Sequence, residues 1–360
     1  MKIVTIFPKD SEAIFNRHSN NTFGGATVQM YLISKELYRH KDITTYSLIP
    51  KYPVIDFNDQ KFFKLIKTYR TTDRTLIKIF RFHRIIQKIK PEVIIQHGLS
   101  LFSCLLAKYC KIFNIKFIFM FAHDLEVEGK YQSTSGKAYL FRLLLNNSEI
   151  IITQNEYQKT TLMNKFNTKS AIIYNGFEIK NDTHAKNNSN AKFLWVARCE
   201  RWKRPEIYIQ IAKSYPDNEF IMIAPPSSDS KYYSDITEMA QHVPNLKFIS
   251  FVPFQEIDEY FLNSTIFINT SQYEGFPQTF IQATMNGIPI ISLNANPDNI
   301  ITNYNLGIYC HNKIEHLKLG IYELLNSSDV YKEKSRNSIE YALKNHNIES
   351  NVNKILYNIK

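Results

Sequence analysis

Glu274 stands directly before Gly275, Phe276 and Pro277, and Phe280, Ile281 and Thr284 follow at helical spacing. A proline suits a first helical position, so the spacing predicts a helix from Pro277, with Gly287 at its far cap and IPIIS behind it as a buried strand. A carboxylate placed there accepts hydrogen bonds from hydroxyl groups. The unpaired backbone N–H groups of Gln278 and Thr279 would point at an anion beside it. Hydroxyls next to phosphate describe a sugar joined to a diphosphate. Gln282 lies eight residues after Glu274, two turns into the helix, where it would face a ribose hydroxyl. The same segment also fits an ordinary strand, turn and helix with Glu274 in solvent.

Other candidates fall where strands end. FLWVAR is followed by CERWKRPE, so Arg198 leaves a strand and Lys203 comes five residues later, before a helix near Pro205. A guanidinium fork and an ammonium point charge side by side clamp a diphosphate without a metal. Arg201 and Arg204 either add positive potential there or are solvated. Gly24-Gly25, ahead of the first long helix, let backbone N–H groups approach an anion, though a double glycine is also a common turn. His97 and His123 each close a predicted strand, and His123 is placed to hydrogen-bond a sugar or share charge with a leaving group. Asp124, Glu126 and Glu128 alternate after that strand, which would set three carboxylates on one side. No Asp-x-Asp occurs, and no metal site is expected.

The elements that must position these residues alternate strand with helix twice. KIVTIF, ITTYSLI, VIIQH, KFIFMFAH, EIIITQ and SAIIYNG read as strands separated by helices, and a second series runs from FLWVAR onward. That alternation predicts two doubly wound parallel sheets, whose ligands bind at the carboxyl ends of the strands. The first domain is expected over residues 1–180 and the second over 193–339. A polar linker is read at 181–192, and a C-terminal helix at about 340–360 is expected to pack back on the first domain.

Composition sets outer bounds. With 44% hydrophobic and 21% charged residues, the 360-residue chain is of the globular kind, long enough for two cores. No apolar run reaches the roughly eighteen residues needed to span a bilayer, and MKIVTIFPKD is too short in its apolar part for a signal peptide, so a cytoplasmic location is expected. Cys104, Cys110, Cys199 and Cys310 show no metal-like or paired spacing and are expected to be reduced and packed. The net charge is +11, and residues 61–90 hold ten Lys or Arg against one acid, Asp73. Arg74, Lys78, Arg81, Arg84 and Lys88 make one helical stripe, with Leu76, Phe80, Ile86 and Ile89 expected on another side. Such a helix suits an anionic membrane surface, a plain solvated face, or a polyanion.

Taken together these motifs resemble family 4 of the retaining glycosyltransferases with the GT-B fold, over nearly the whole chain and most strongly from Phe193 to Gly307. The resemblance is carried by WVARCERWK (Arg198, Lys203), EGFPQTFIQA (Glu274), FGGATVQ near the N-terminus and YNGF with Asn175 and Gly176. It implies two Rossmann-like domains facing each other across a cleft. It also implies metal-independent transfer, of hexosyltransferase type, from a UDP- or GDP-sugar to a glycan or lipid-linked acceptor in envelope polysaccharide assembly. Arg198 and Lys203 would hold the diphosphate, Glu274 the donor-sugar hydroxyls, His123 the transferred sugar, and Phe251 and Val252 would border the base. Peripheral contact with the inner face of the membrane through 61–90 is expected, and nucleic acid is not. Gln282 stands where the family usually has Glu, a change from a charged to a neutral ribose contact worth on the order of 1 kcal/mol. The alternatives are an inverting or epimerase-type enzyme on the same fold, an inactive scaffold, and a non-catalytic polyanion-binding protein.

Overall fold

The computed structural model describes residues 1–19, 21–129, 134–179 and 191–359. The chain divides into two compact units, Met1–Glu178 with Ile348–Lys360, and Ile179–Asn347. In the first unit the order is β1 (Lys2–Ile6), α1 (Glu12–Phe15), α2 (Gly25–Arg39), β2 (Thr44–Ile49), β3 (Leu65–Lys67), α3 (Thr75–Ile89) and β4 (Val93–His97). It continues with α4 (Leu101–Ile112), β5 (Lys116–Met120), α5 (Asp124–Glu128), α6 (Ser135–Asn147), β6 (Ile150–Thr153), α7 (Glu156–Phe166) and β7 (Ala171–Ile172). The seven strands are parallel and ordered β3-β2-β1-β4-β5-β6-β7. Helices cover both faces of such a sheet, so a central strand such as VIIQH is buried along its whole length and reads as a run rather than an alternation.

The second unit runs β8 (Lys192–Val196), α8 (Pro205–Ser214), β9 (Glu219–Ile223), α9 (Ser230–Gln241), β10 (Leu246–Ile249), α10 (Ile257–Leu262), β11 (Ile266–Asn269), α11 (Gln278–Met285) and β12 (Ile290–Ser292). After these come α12 (Ile300–Asn303), β13 (Gly307–Tyr309), α13 (Ile314–Asn326) and α14 (Ser328–Asn345). Its six parallel strands are ordered β10-β9-β8-β11-β12-β13. Phe193, Trp195, Tyr208, Phe220 and Tyr331 are the large buried side chains of its core, and rings of Phe193 and Phe220 stack at 4.5 Å. In both sheets the strand order reverses direction beside the first strand, between β1 and β4 and between β8 and β11. The crevice at such a reversal, at the carboxyl ends of the strands, is where open α/β sheets bind ligands.

The last helix, α15 (Ile348–Ile359), belongs to the first unit and buries Ile348, Val352 and Ile355 there. A Cβ on Gly176 would lie 2.8 Å from the Ile348 Cα, so only glycine admits this approach. The crossing falls two residues beyond α14, which runs to Asn345, past the boundary at 339 read from the sequence. Of the expected linker, residues 181–190 lie outside the described residues, and Lys192 is already the first residue of β8, ion-paired to Glu219 at 2.9 Å. The apolar side assigned to α3 needs correction. Phe82, Ile86 and Ile89 are buried, but Leu76 and Phe80 are 76% and 61% exposed. At 100° per residue, the mean direction of positions 76 and 80 lies about 130° from that of 82, 86 and 89, so the two sets point to different sides. The four cysteines are free and buried, and burial pushes the Cys199 and Cys310 thiols up to about 12.

Candidate active site

Two strand ends in the second unit, those of β8 and β11, hold the central cluster. Trp195, on β8, donates its indole N–H to Thr270 Oγ1 at 2.9 Å, and Thr270 donates its hydroxyl to the Lys203 carbonyl at 2.6 Å. The segment after β8 is therefore tied to the end of β11. Arg204 adds three bonds: Nε to the Thr270 carbonyl at 2.7 Å, Nη2 to the Ser271 carbonyl at 3.2 Å and Nη1 to Asn312 Oδ1 at 2.7 Å. Its φ of 51° places it in the left-handed region, where a short 3₁₀ turn over Arg201–Lys203 ends and α8 begins. Arg204 is therefore not simply solvated: it clamps two loops together through neutral acceptors, and its charge still adds positive potential there. Arg201 is paired with Asp229 at 2.9 Å and lies over the Tyr232 ring.

Within this frame Lys203 Nζ pairs with Glu274 Oε1, both side chains being nearly buried. Ser271 Oγ donates to the same oxygen at 2.6 Å, and Asn269 Nδ2 approaches it at 3.4 Å. All three contacts converge on Oε1. Glu274 Oε2 has no hydrogen-bond partner among the described residues and remains open to an outside donor. Burial draws the Lys203 ammonium below its usual range, against the pull of Glu274. Arg198 differs from Lys203 in being exposed, and no described residue takes its guanidinium in an ion pair or hydrogen bond. Its backbone is nonetheless fixed, since the flanking N–H groups of Ala197 and Cys199 bond to the Ile223 and Pro225 carbonyls at 3.2 and 2.9 Å. One free cation and one paired cation thus stand at the reversal between β8 and β11.

The remaining second-unit candidates lie around this pair. Pro277 is the N-cap of α11, with ψ of 128°, and the helix proper begins at Gln278, one residue later than the spacing predicts. Gln278 and Thr279 are its first two residues, as an anion site at its N-terminus needs. Phe276 is buried, with its ring 5.2 Å from that of His346, and so acts as an anchor for the Gly275 turn. Gln282 is buried, and its amide donates to Asp258 Oδ1 on α10 at 3.2 Å. That bond already supplies a carboxylate beside position 282. Phe251 and Val252 lie in the loop after β10, two and three residues past the strand, with Val252 buried.

Gly24, Gly25 and His123 belong to the first unit. The Gly24 N–H donates to Asp10 Oδ2 at 2.8 Å, and Thr27 Oγ1 donates to Asp10 Oδ1 at 2.6 Å. The anion expected at Gly24 is thus supplied by the chain itself, while Gly25 opens α2. His123 is the N-cap of α5, three residues past the end of β5. His97 is buried; its Nε2 lies 3.0 Å from the Phe121 carbonyl, and burial lowers its pKa to about 4, so it is neutral. The three carboxylates after β5 do not share a side. Glu126 turns inward to accept the Leu99 and Ala122 N–H groups at 2.8 Å each, Asp124 accepts from Asn155 and Gln158, and Glu128 from Tyr157. The segment is a helical turn rather than an extended strand, which separates residues two apart. Burial raises the Glu126 carboxyl above its usual range. Sequence reasoning gave Glu126 no such bracing role, and nothing in the local pattern marks it.

Residues 177–345 match the model of the family of glycosyl transferases group 1. That segment is a glycosyl transferases group 1 domain. An uncharacterized glycosyltransferase of Haemophilus influenzae is 25% identical over 260 residues, covering 68% of this chain and 69% of its own. Among solved structures, sucrose-phosphate synthase from Thermosynechococcus elongatus superposes with a TM-score of 0.76 at 13% identity, covering 99% of this chain and 98% of its own. Anabaena HepE in complex with UDP superposes with a TM-score of 0.74 at 14% identity, covering 99% of both chains. The fold is GT-B, and the protein is a glycosyltransferase. In this glycosyltransferase the matched segment holds every second-unit candidate named above, from Arg198 to Gln282.

Proposed function

We propose that this glycosyltransferase takes a hexosyl group from a UDP- or GDP-sugar and transfers it, with retention and without a metal, to a lipid-linked glycan of envelope polysaccharide assembly. The observation that carries the reading is the arrangement at the β8/β11 reversal. Lys203 and Arg198 offer positive charge beside the N-terminus of α11, and Glu274 keeps one carboxylate oxygen open for a sugar hydroxyl. Cleaving the anomeric bond leaves negative charge on the departing diphosphate. Lys203, held in place by Glu274, and the α11 N-terminus stabilise that charge with little reorganisation, and the exposed Arg198 guanidinium adds to them; such preorganised charge is usually the largest single contribution to catalysis. Glu274 Oε2 accepts from the donor sugar, with Oε1 locked by Lys203 and Ser271, and the carboxylate orients the ring rather than attacking it. The acceptor hydroxyl then attacks from the face the diphosphate leaves, aided by a phosphate oxygen, and His123 contacts the transferred sugar.

UDP in the similar HepE structure supports a uridine donor as the first to test. Contact with an anionic membrane surface through residues 61–90 fits their charge, and no helix among the described residues is long and apolar enough to cross a membrane. The test is product analysis. Incubation with UDP- and GDP-hexoses and a polyprenyl-linked glycan in EDTA is expected to give a product whose anomeric configuration, read by NMR, matches that of the donor. An inverted product, or turnover only with divalent metal added, contradicts the proposal.

A further inference from the structure

Between the two chemistry-bearing loops lies a pair of rings that the reading above leaves without a role. Trp202 and Tyr273 stack with centroids 4.9 Å apart and planes 6° from parallel. Each ring immediately precedes a member of the central ion pair, Trp202 before Lys203 and Tyr273 before Glu274. The Gln272 N–H donates to the Trp202 carbonyl at 2.8 Å, which fixes the register of one loop on the other. The Lys203 Nζ lies 3.9 Å from the centroid of the Trp202 ring.

We propose that Trp202, backed by Tyr273, is a positioning residue that holds the Lys203 ammonium toward Glu274 and keeps it charged. The inference rests on the reading that Lys203 serves the donor diphosphate as a cation. Lys203 is only 14% exposed, so it has given up most of its hydration. The charged groups facing it are Glu274 and Glu200, which favour its protonated form, and Arg198, which opposes it. Asn269, at the end of β11, and Thr270 and Ser271, on the loop after it, carry no charge. A second carboxylate would favour the ammonium more strongly, but it would also repel a diphosphate. The face of an indole attracts a cation without carrying a net charge, and the attraction grows as the site loses water. Tyr273, 54% exposed, covers the indole from the solvent side of the stack and limits its rotation.

The test reads the lysine directly. Protein labelled with ¹³C at the lysine ε carbon is titrated by NMR, with the Lys203 signal assigned by its loss in Lys203→Arg. Trp202→Leu is expected to lower the Lys203 midpoint by about one pH unit, the shift that a partly desolvated cation–π contact would produce. Trp202→Phe, which keeps a weaker ring, lowers it by less. The alkaline limb of kcat/KM moves with the midpoint, while the melting temperature stays within a few degrees. An unchanged midpoint in Trp202→Leu, with nucleotide binding still dependent on Lys203, overturns the role of Trp202 alone. A lowered midpoint with UDP and GDP affinity indifferent to Lys203 upholds Trp202 and overturns the diphosphate reading.

Discussion

The two oxygens of Glu274 have different duties, and this asymmetry is the sharpest chemical feature of the chain. Oε1 is held by Lys203, Ser271 and Asn269, whereas Oε2 has no hydrogen-bond partner among the described residues and, in the function proposed, accepts from a sugar hydroxyl. Ser271→Ala removes a 2.6 Å hydrogen bond to a charged acceptor. It should lower kcat/KM by roughly tenfold or more, since such bonds contribute about 1.5–3 kcal/mol, with a smaller effect on folding because Lys203 remains. The buried pair itself is expected to cost stability rather than add to it. Lys203→Ala leaves Glu274 uncompensated and should destabilise by about 3–5 kcal/mol, whereas Lys203→Met with Glu274→Gln should be neutral or stabilising, by denaturant unfolding. The sign with pH follows from the lowered Lys203 pKa. Below its folded value both states are protonated and the penalty is full; from there up to the ordinary lysine value the unfolded state binds the extra proton, so stability rises with pH. The advantage of the double variant should therefore be largest below that lowered value and shrink as pH rises toward the ordinary lysine value.

At the scale of elements, the helix that carries Gln278, Thr279 and Gln282 is held from behind. Gly287, with φ of 62°, ends α11, and a Cβ there would lie 3.0 Å from both Ile339 Cδ1 and Ser335 Oγ on α14. Gly287→Ala should cost about 1–3 kcal/mol through backbone strain and overpacking, and should raise the donor KM by shifting the α11 N-terminus; unfolding and initial-rate measurements check both. The strands, the loop positions of Arg198, Lys203 and Glu274, and the cap at Gly287 were legible in the sequence, because buried parallel strands and glycine punctuation leave local signals. Arg204, Trp202 and Asp258 were not legible in their roles. Their partners lie 66, 71 and 24 positions away, and no local spacing encodes such pairs. The misplaced arc of α3 has another cause: Leu76 and Phe80 are apolar yet exposed, and an apolar residue on a helix does not by itself mark the face that packs inward.

On the scale of the whole molecule, two parallel sheets each reverse their strand order beside the first strand, and the segments after β1, β8 and β11 carry most of the candidate residues, while His123 follows β5 and Phe251 and Val252 follow β10. The excess positive charge is gathered in the first unit, where α3 exposes Leu76, Ile77 and Phe80 next to Arg74, Lys78 and Arg84. If that surface meets anionic lipid, sedimentation with phosphatidylglycerol vesicles should weaken steeply with salt, and replacing Leu76 and Phe80 by Ser should lower it further without changing the melting temperature. Absence of sedimentation at low salt would remove the membrane from the account. In the second unit, Arg198 and Lys203 are proposed to meet the donor diphosphate. That contact is tested most directly by calorimetric titration of UDP and GDP, in EDTA, into the wild-type protein and Arg198→Ala. Because Arg198 is exposed and has no protein partner among the described residues, its removal should leave the melting temperature unchanged while weakening the preferred nucleotide at least tenfold, about 1.4 kcal/mol. Equal affinity in the two proteins, or binding that appears only when a divalent metal is supplied, would contradict it.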